Sequence, residues 1–239
     1  MRLARGLLVA LGLILVFALL FVWVALPPIL GGVAVGILRD QGVQSDDMRV
    51  EIGADPPLRL IGLTADRVHL RASGVSIDRL QADSIDVTLN EVDLRAQTFE
   101  SVDGRLEGLR VTPPEGPTIA AHTVVISGPP EAAAMTLTLD EDDVERLIRS
   151  QVARLAGANV TSVALSAPDG MTIETDVATV RGRLAVDEGG GLVFREEEGR
   201  FAFDLFRAGP DEPVRLDTLR IEGSNLEVTG TVNLLAPSQ

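Results

Sequence analysis

From Met48 to Leu234 apolar residues recur at every second position, and a period of two restricts a chain to strands with one buried and one wet face. Met48, Val50 and Ile52 alternate with charged residues, and the rhythm continues through Leu58/Leu60, Val68/Leu70/Ala72, Val75/Ile77, Ile85/Val87/Leu89 and Val92/Leu94. Gly62, Ser73-Gly74 and Asn90-Glu91 read as breaks between strands. Leu106, Leu109 and Val111, then the stretch 119–126, extend the series. The connections are too short for helical crossovers, so the strands form an antiparallel meander. Alternation resumes after the middle of the chain, from Val163/Leu165 to Val232/Leu234, with Gly189-Gly190-Gly191 placed as a hairpin turn.

One segment breaks the rhythm. Between Asp140 and Ala156 the apolar residues Val144, Leu147, Ile148, Val152 and Leu155 form a single stripe at helical spacing. Acidic residues 140–143 fill the first turn, Arg149 and Arg154 the later ones, and Gly157 follows the end, all favourable to the helix dipole and its caps. The stripe is expected to face a sheet.

The amino-terminal end has a different character. Arg2 and Arg5 precede an uncharged run from Gly6 to Leu38, broken by Pro27-Pro28. Leu7 to Leu26 is long enough, at about 1.5 Å per residue, to cross a hydrocarbon core of about 30 Å. A cleaved signal peptide would have an apolar core of about 7–15 residues and then a small-x-small site. Here the core is longer, and the small pairs Gly32/Ala34 and Ala34/Gly36 fall after the Pro-Pro break. The run therefore predicts an uncleaved single-pass anchor in the cell membrane, with the arginine-bearing end cytoplasmic. The organisation expected is a cytoplasmic head (1–5), a transmembrane anchor (6–28), a juxtamembrane segment (29–42) and an extracytoplasmic β-rich domain (43–239).

Composition narrows the chemistry. All 21 basic residues are arginine, against 35 Asp plus Glu, for a net charge of −14, and such a surface repels nucleic acid. Without cysteine there is no disulfide framework, thiolate metal site or cysteine nucleophile. Tyrosine is absent, and outside the apolar run only Phe99, Phe194, Phe201, Phe203 and Phe206 represent the aromatics, so the core must be built from Val, Leu, Ile and Ala. Phe201 and Phe203 share one face of a strand and Phe206 the other, which leaves one of them to mark a membrane contact or a groove rim if it is not core.

No catalytic constellation emerges. His69 lies between Arg67 and Arg71 on the face expected to meet solvent, and His122 reads as a solvent-facing or hydrogen-bonded strand histidine. G-x-S-x-G, H-E-x-x-H and a glycine-rich lysine loop do not occur. The acidic runs 140–143 and 196–198 lack the alternating ligands and turn glycine of a calcium loop, and read as a charged helix start and a solvated turn. The chain is read as a non-enzyme needing no cofactor or metal.

The segments LRLIGLTADRVHLRASGVSIDRLQADSIDVTLNEVDL (58–94), MTLTLDEDDVERLI (135–148) and VRLDTLRIEGSNLEVTG (214–230) resemble the LmeA-like phospholipid-binding proteins, a bacterial envelope family linked to lipomannan elongation. The shared features are apolar spacings, and they carry no catalytic residue to transfer. The resemblance implies a periplasmic or cell-surface domain that holds or transfers phospholipid acyl chains, with phospholipid and membrane as partners and no nucleic acid. The architecture expected is α+β: a transmembrane helix, then a long curved antiparallel meander wrapped around the α-helix, like tubular lipid-binding folds. Its groove would be lined by Val68, Leu70, Ile77, Ile85, Val87, Leu89, Val144, Leu147, Ile148, Val152, Leu155, Phe201 and Phe203. The alternative is that the same residues fill an ordinary core, leaving a membrane-tethered interaction module for envelope assembly. Alternation looks identical in both cases.

Overall fold

Most of the alternating segments fold as antiparallel strands, in two sheets, while the segment Leu58/Leu60 lies outside the described residues. The computed structural model describes residues 43–235 apart from 56–58, 60–61, 94, 97, 113–118, 157, 200 and 207–212, and gives no side-chain detail at Val111, Ile119, Ser150 and 154–156. The first six strands are β1 (Asp47–Gly53), β2 (Thr64–Ile77), β3 (Leu80–Asp93), β4 (Ser101–Val111), β5 (Ile119–Gly128) and β6 (Ala133–Asp140). Helix α1 (Glu141–Ala156) follows, then β7 (Val160–Ser166), β8 (Gly170–Thr175), β9 (Thr179–Val186), β10 (Leu192–Glu196) and β11 (Ala202–Phe206), and finally β12 (Val214–Glu222) and β13 (Asn225–Val232). The large sheet has the order β1-β2-β3-β4-β5-β6-β13-β12, and the smaller one β11-β10-β9-β8-β7.

This corrects the expected architecture. The meander is not continuous and does not wrap the helix: the chain leaves the large sheet after β6, builds α1 and the whole second sheet, and returns to lay β13 beside β6. The helix packs chiefly against β7, with lighter contacts to β5, β6, β11 and β13. Its stripe works as expected, with Val144 and Ile148 buried and Leu147 and Val152 partly so. The Glu141 carboxylate accepts the Leu165 N–H at 3.0 Å, tying the first turn to β7. Alternation identifies strands but carries no information about which sheet a strand joins, and that is where the expectation failed. No described helix is long and apolar enough to cross a membrane, and the segments read as anchor (6–28) and juxtamembrane stretch (29–42) lie outside the described residues.

Two of the expected strand breaks are something else. In β2 the buried positions run Ala65, then Val68, Leu70 and Ala72, then Val75, so a spacing of two is twice interrupted by a spacing of three. The partner strand interrupts at the same rows: Val92, Leu89 and Ile85, then Ala82 and Leu80. The pairs Ala72↔Ile85 and Val75↔Ala82 flank Gly74 and Asp83, and Leu106 and Leu109 flank Gly108 in β4. Because all three strands skip together, no residue is left over and the register is the same on both sides. Gly74 and Gly108 have φ of 57° and 60°, a conformation that glycine adopts at little cost, and Glu91 at 48° marks the second row. The pleat inverts at these rows, which keeps the apolar side chains on one face along strands of 14 residues.

The two sheets meet at the free edge of β12. The Leu216 N–H donates to the Gly190 carbonyl at 3.1 Å and the Ile221 N–H to the Pro168 carbonyl at 2.8 Å, both acceptors lying in turns of the second sheet. An edge that would otherwise offer a row of unpaired donors is thereby covered.

Candidate functional site

Strand register assembles the apolar face of the large sheet into rows. One row runs Val50, Leu70, Val87, Gly104, Ile126 and Met135, each paired with the next across β1 to β6. The next runs Met48, Ala72, Ile85, Leu106, Val124 and Leu137 in the same way. Leu70, Ile85, Leu106, Val124, Ile126 and Met135 are buried, most of them to within a few per cent. Val50 on β1 and Leu137 on β6 are partly buried. Val87 and Gly104 are partly exposed as well, and they sit side by side in the middle of the sheet, away from either edge. Gly104 presents no side chain to this face, so the row carries a notch, and a Cβ there would lie 3.3 Å from Val87 Cγ2.

The chemistry of this face is hydrocarbon chemistry. Among the described residues the buried polar or charged side chains are Thr123, Asp143 and Gln151, and of these only Thr123 belongs to the large sheet. No group of acidic or histidine side chains among the described residues could hold a metal ion. Such a surface can attract an apolar chain by burial and dispersion, at roughly 25 cal/mol per Å² removed from water, without orienting a polar reaction.

The opposite face is densely charged. Asp86 accepts from His69 Nε2 at 2.7 Å and from Arg71 Nε at 3.1 Å. Partial burial pushes its carboxyl up, but the hydrogen bonds from His69 and Arg71 and their electrostatic pull outweigh that and hold it below the usual carboxylate range. Glu107 is held low in the same way, first by Arg105 and then by the Ser84 hydroxyl. His69 thus lies on the solvent side as its neighbours implied, tied into a surface ladder.

The thirteen residues expected to line a groove fall into three groups. Val68, Leu70, Ile85, Val87 and Leu89 share the apolar face, with Val68 opposite Leu89 and Leu70 opposite Val87, and Ile77 joins them beyond the Gly74 inversion. Val144, Leu147, Ile148 and Val152 lie on α1, whose main neighbour is β7; the side chain of Leu155 is among those not described. Phe201 and Phe203 belong to the second sheet, in a trio with Phe194 whose ring centroids lie 5.2 to 6.4 Å apart. Phe194 is fully buried, Phe203 partly so and Phe201 43% exposed, so one phenylalanine is indeed left in contact with solvent. Sequence reasoning missed Gly104, Ile126 and Met135. Ile126 and Met135 carry the same alternation signal as the other strand residues, and Gly104 carries none.

No curated protein and no solved structure matches the chain. A family model for LmeA-like phospholipid-binding proteins matches residues 28–232, a span that takes in both sheets, the helix and the apolar rows. The chain belongs to the LmeA-like phospholipid-binding family.

Proposed function

We propose that the protein is anchored by residues 6–28 on the outer side of a bacterial cell membrane. There it holds or transfers phospholipid acyl chains against the apolar face of its large sheet, in maintenance of envelope lipids or lipoglycans. The observation that carries this reading is the partly exposed pair Val87 and Gly104 in the centre of the apolar face, beside the buried Leu70, Ile85, Leu106 and Ile126. A core packed only for stability fills such a position, because an interior void forfeits dispersion contacts. A hydrocarbon chain laid along the row gains about 0.8 kcal/mol for each methylene buried, which gives substantial affinity with no polar contact. Family membership supports phospholipid as the ligand. The apolar run Leu7–Leu26 supports an anchor beside the lipids to be loaded, and Arg2 and Arg5 support its orientation.

Native mass spectrometry of the full chain, extracted from cells in mild detergent, tests the proposal. The expected result is a stoichiometric adduct with the mass of a phospholipid, lost when Gly104 is replaced by Phe. A clean apo mass, with no uptake of a fluorescent phospholipid, would show that the apolar face is plain core and would leave the tethered interaction module as the function.

A further inference from the structure

The edge of a sheet offers a row of unpaired N–H and C=O groups, and most edges of this molecule are closed or short. Turn carbonyls of the second sheet cover β12, the Glu141 carboxylate of α1 takes the Leu165 N–H on β7, and β11 is only 5 residues long. The outer edge of β1 is different. Among the described residues no strand pairs with it. The strand carries no proline, and the side chains it turns to the apolar face, Met48, Val50 and Ile52, are all uncharged. It therefore lacks the inward charge or proline by which an open edge is kept from pairing.

The strand is also self-complementary about its middle residue. β1 reads Asp47-Met48-Arg49-Val50-Glu51-Ile52-Gly53, with Asp47, Arg49 and Glu51 exposed on the charged face. Laid antiparallel against a second copy with Val50 on the two-fold axis, Arg49 of each copy stands opposite Glu51 of the other and Met48 opposite Ile52, while Asp47 meets Gly53, which has no side chain. Directly opposed residues of antiparallel strands share a face, so apolar meets apolar on one side and opposite charges meet on the other. Other registers fail. An axis at Arg49 sets Arg49 on itself and Asp47 on Glu51, an axis at Glu51 sets Glu51 on itself and Asp47 on Asp55, and an axis at Met48 or Ile52 overlaps only the strand ends. Within one copy these charges are poorly matched across the sheet: Arg49 faces Arg71, and Glu51 faces His69, whose Nε2 is taken by Asp86. Arg49 reaches Asp47 in its own strand at 3.2 Å, and among the described residues no cation forms an ion pair with Glu51. Pairing would complete a row Asp86, Arg71, Arg49 and then Glu51 of the second copy, with a carboxylate on either side of the two arginines.

We propose that two copies of the chain join edge to edge through β1, with Val50 at the two-fold axis, so that their large sheets become one. Backbone hydrogen bonds along the strand hold the pair, and the two symmetric Arg49 to Glu51 contacts fix its register. Val50 and Ile52, partly exposed at the edge of a single copy, gain a neighbouring strand to pack beside. The row Val50, Leu70, Val87 and Gly104 of one copy then runs on into the same row of the other. Pairing does not depend on bound lipid, although it places the two apolar faces side by side.

Charge reversal tests the pairing, read by sedimentation equilibrium of the full chain in mild detergent over a dilution series. The parent should form dimers. Arg49→Glu alone and Glu51→Arg alone should each associate roughly thirtyfold more weakly, because both contacts across the axis become like-charged. An equimolar mixture of the two variants should recover the parent's dimer, since each copy then meets its opposite, and so should the double variant Arg49→Glu/Glu51→Arg. Position is read separately. The chain has no cysteine, and opposed residues of antiparallel strands lie about 4.5–5.5 Å apart at Cα, within disulfide reach. Val50→Cys should therefore oxidise to a covalent dimer, whereas Val177→Cys, 79% exposed in the β8–β9 turn, should not. A monomeric parent overturns the proposal, as do single reversals that dimerise like the parent, a mixture that stays monomeric, or equal cross-linking at the two cysteine positions. Phospholipid co-purifying with the parent is measured on the same samples: lipid on a monomeric parent refutes pairing alone, and a lipid-free dimer refutes the lipid-binding reading alone.

Discussion

Replacing Gly108 by Ala tests the pleat inversion that holds the apolar side chains on one face. The residue has φ of 60°, where an L side chain costs about 1–2 kcal/mol. A Cβ there would also enter the envelope of the Asp83 carboxylate, lying 2.9 Å from its Cβ. Asp83 is held by Arg110 at 3.1 Å, so moving it aside costs that exposed pair as well, about 0.2–1 kcal/mol. The sum is about 1.2–3 kcal/mol, or a fall in thermal midpoint of roughly 2–12 °C for a chain of this size. Gly223→Ala supplies the comparison, because its φ of 63° is as unfavourable but nothing lies within 4 Å of the added methyl. Urea denaturation of both variants, and of Gly108→Ala in an Asp83→Ala background, separates the terms. Gly223→Ala should cost only the backbone term, and Asp83→Ala should recover the steric part of the Gly108→Ala loss but not the rest. A Gly108→Ala change below about 0.5 kcal/mol, or complete recovery by Asp83→Ala, would refute the view that this row depends on glycine's access to positive φ.

Other outcomes follow from the same geometry. Ile148→Ala removes a side chain with no exposure between the helix and its sheet, and should cost about 2–5 kcal/mol in urea melts, whereas the exposed Arg149→Ala should stay within about 0.5 kcal/mol. Phe201→Ser should lower phospholipid transfer with little change in melting temperature, while Phe194→Ser, at a position with no exposure, should collapse the fold. Asp86 has a lowered pKa in the folded chain, so its contribution is fully present above the unfolded carboxylate value near 4 and is lost as pH falls through the lower folded value. Asp86→Asn should therefore cost a few tenths of a kcal/mol at pH 7, the pair being exposed, and the difference from the parent should vanish in acid melts.

Much of the local structure was legible in the sequence. The helix was read from Asp140 to Ala156 and runs Glu141–Ala156, because its stripe, acidic start and following glycine all point the same way. Gly189-Gly190-Gly191 does turn β9 into β10. Ser73-Gly74 and Asn90-Glu91 misled because a residue at positive φ looks the same in sequence whether it ends a strand or inverts its pleat. The division into two sheets was invisible, since strands from either sheet alternate with the same period.

The return of the chain to the large sheet has a consequence for the order of folding. β1 to β6 are linked by short connections and pair with their sequence neighbours, so their hairpins close small loops. β13, by contrast, sets Asn225 opposite Asp140 and Val232 opposite Ala133, pairings that enclose the helix and the entire second sheet. Closing so long a loop is slow unless the enclosed chain is already compact. The second sheet, built from strands paired to their own neighbours, shortens that search by condensing first, and its turn carbonyls at Pro168 and Gly190 then receive the incoming β12 edge. The β6–β13 seam is therefore expected to zip last and open first, so its backbone amides should exchange with solvent sooner than those of the β2–β3 and β3–β4 pairs.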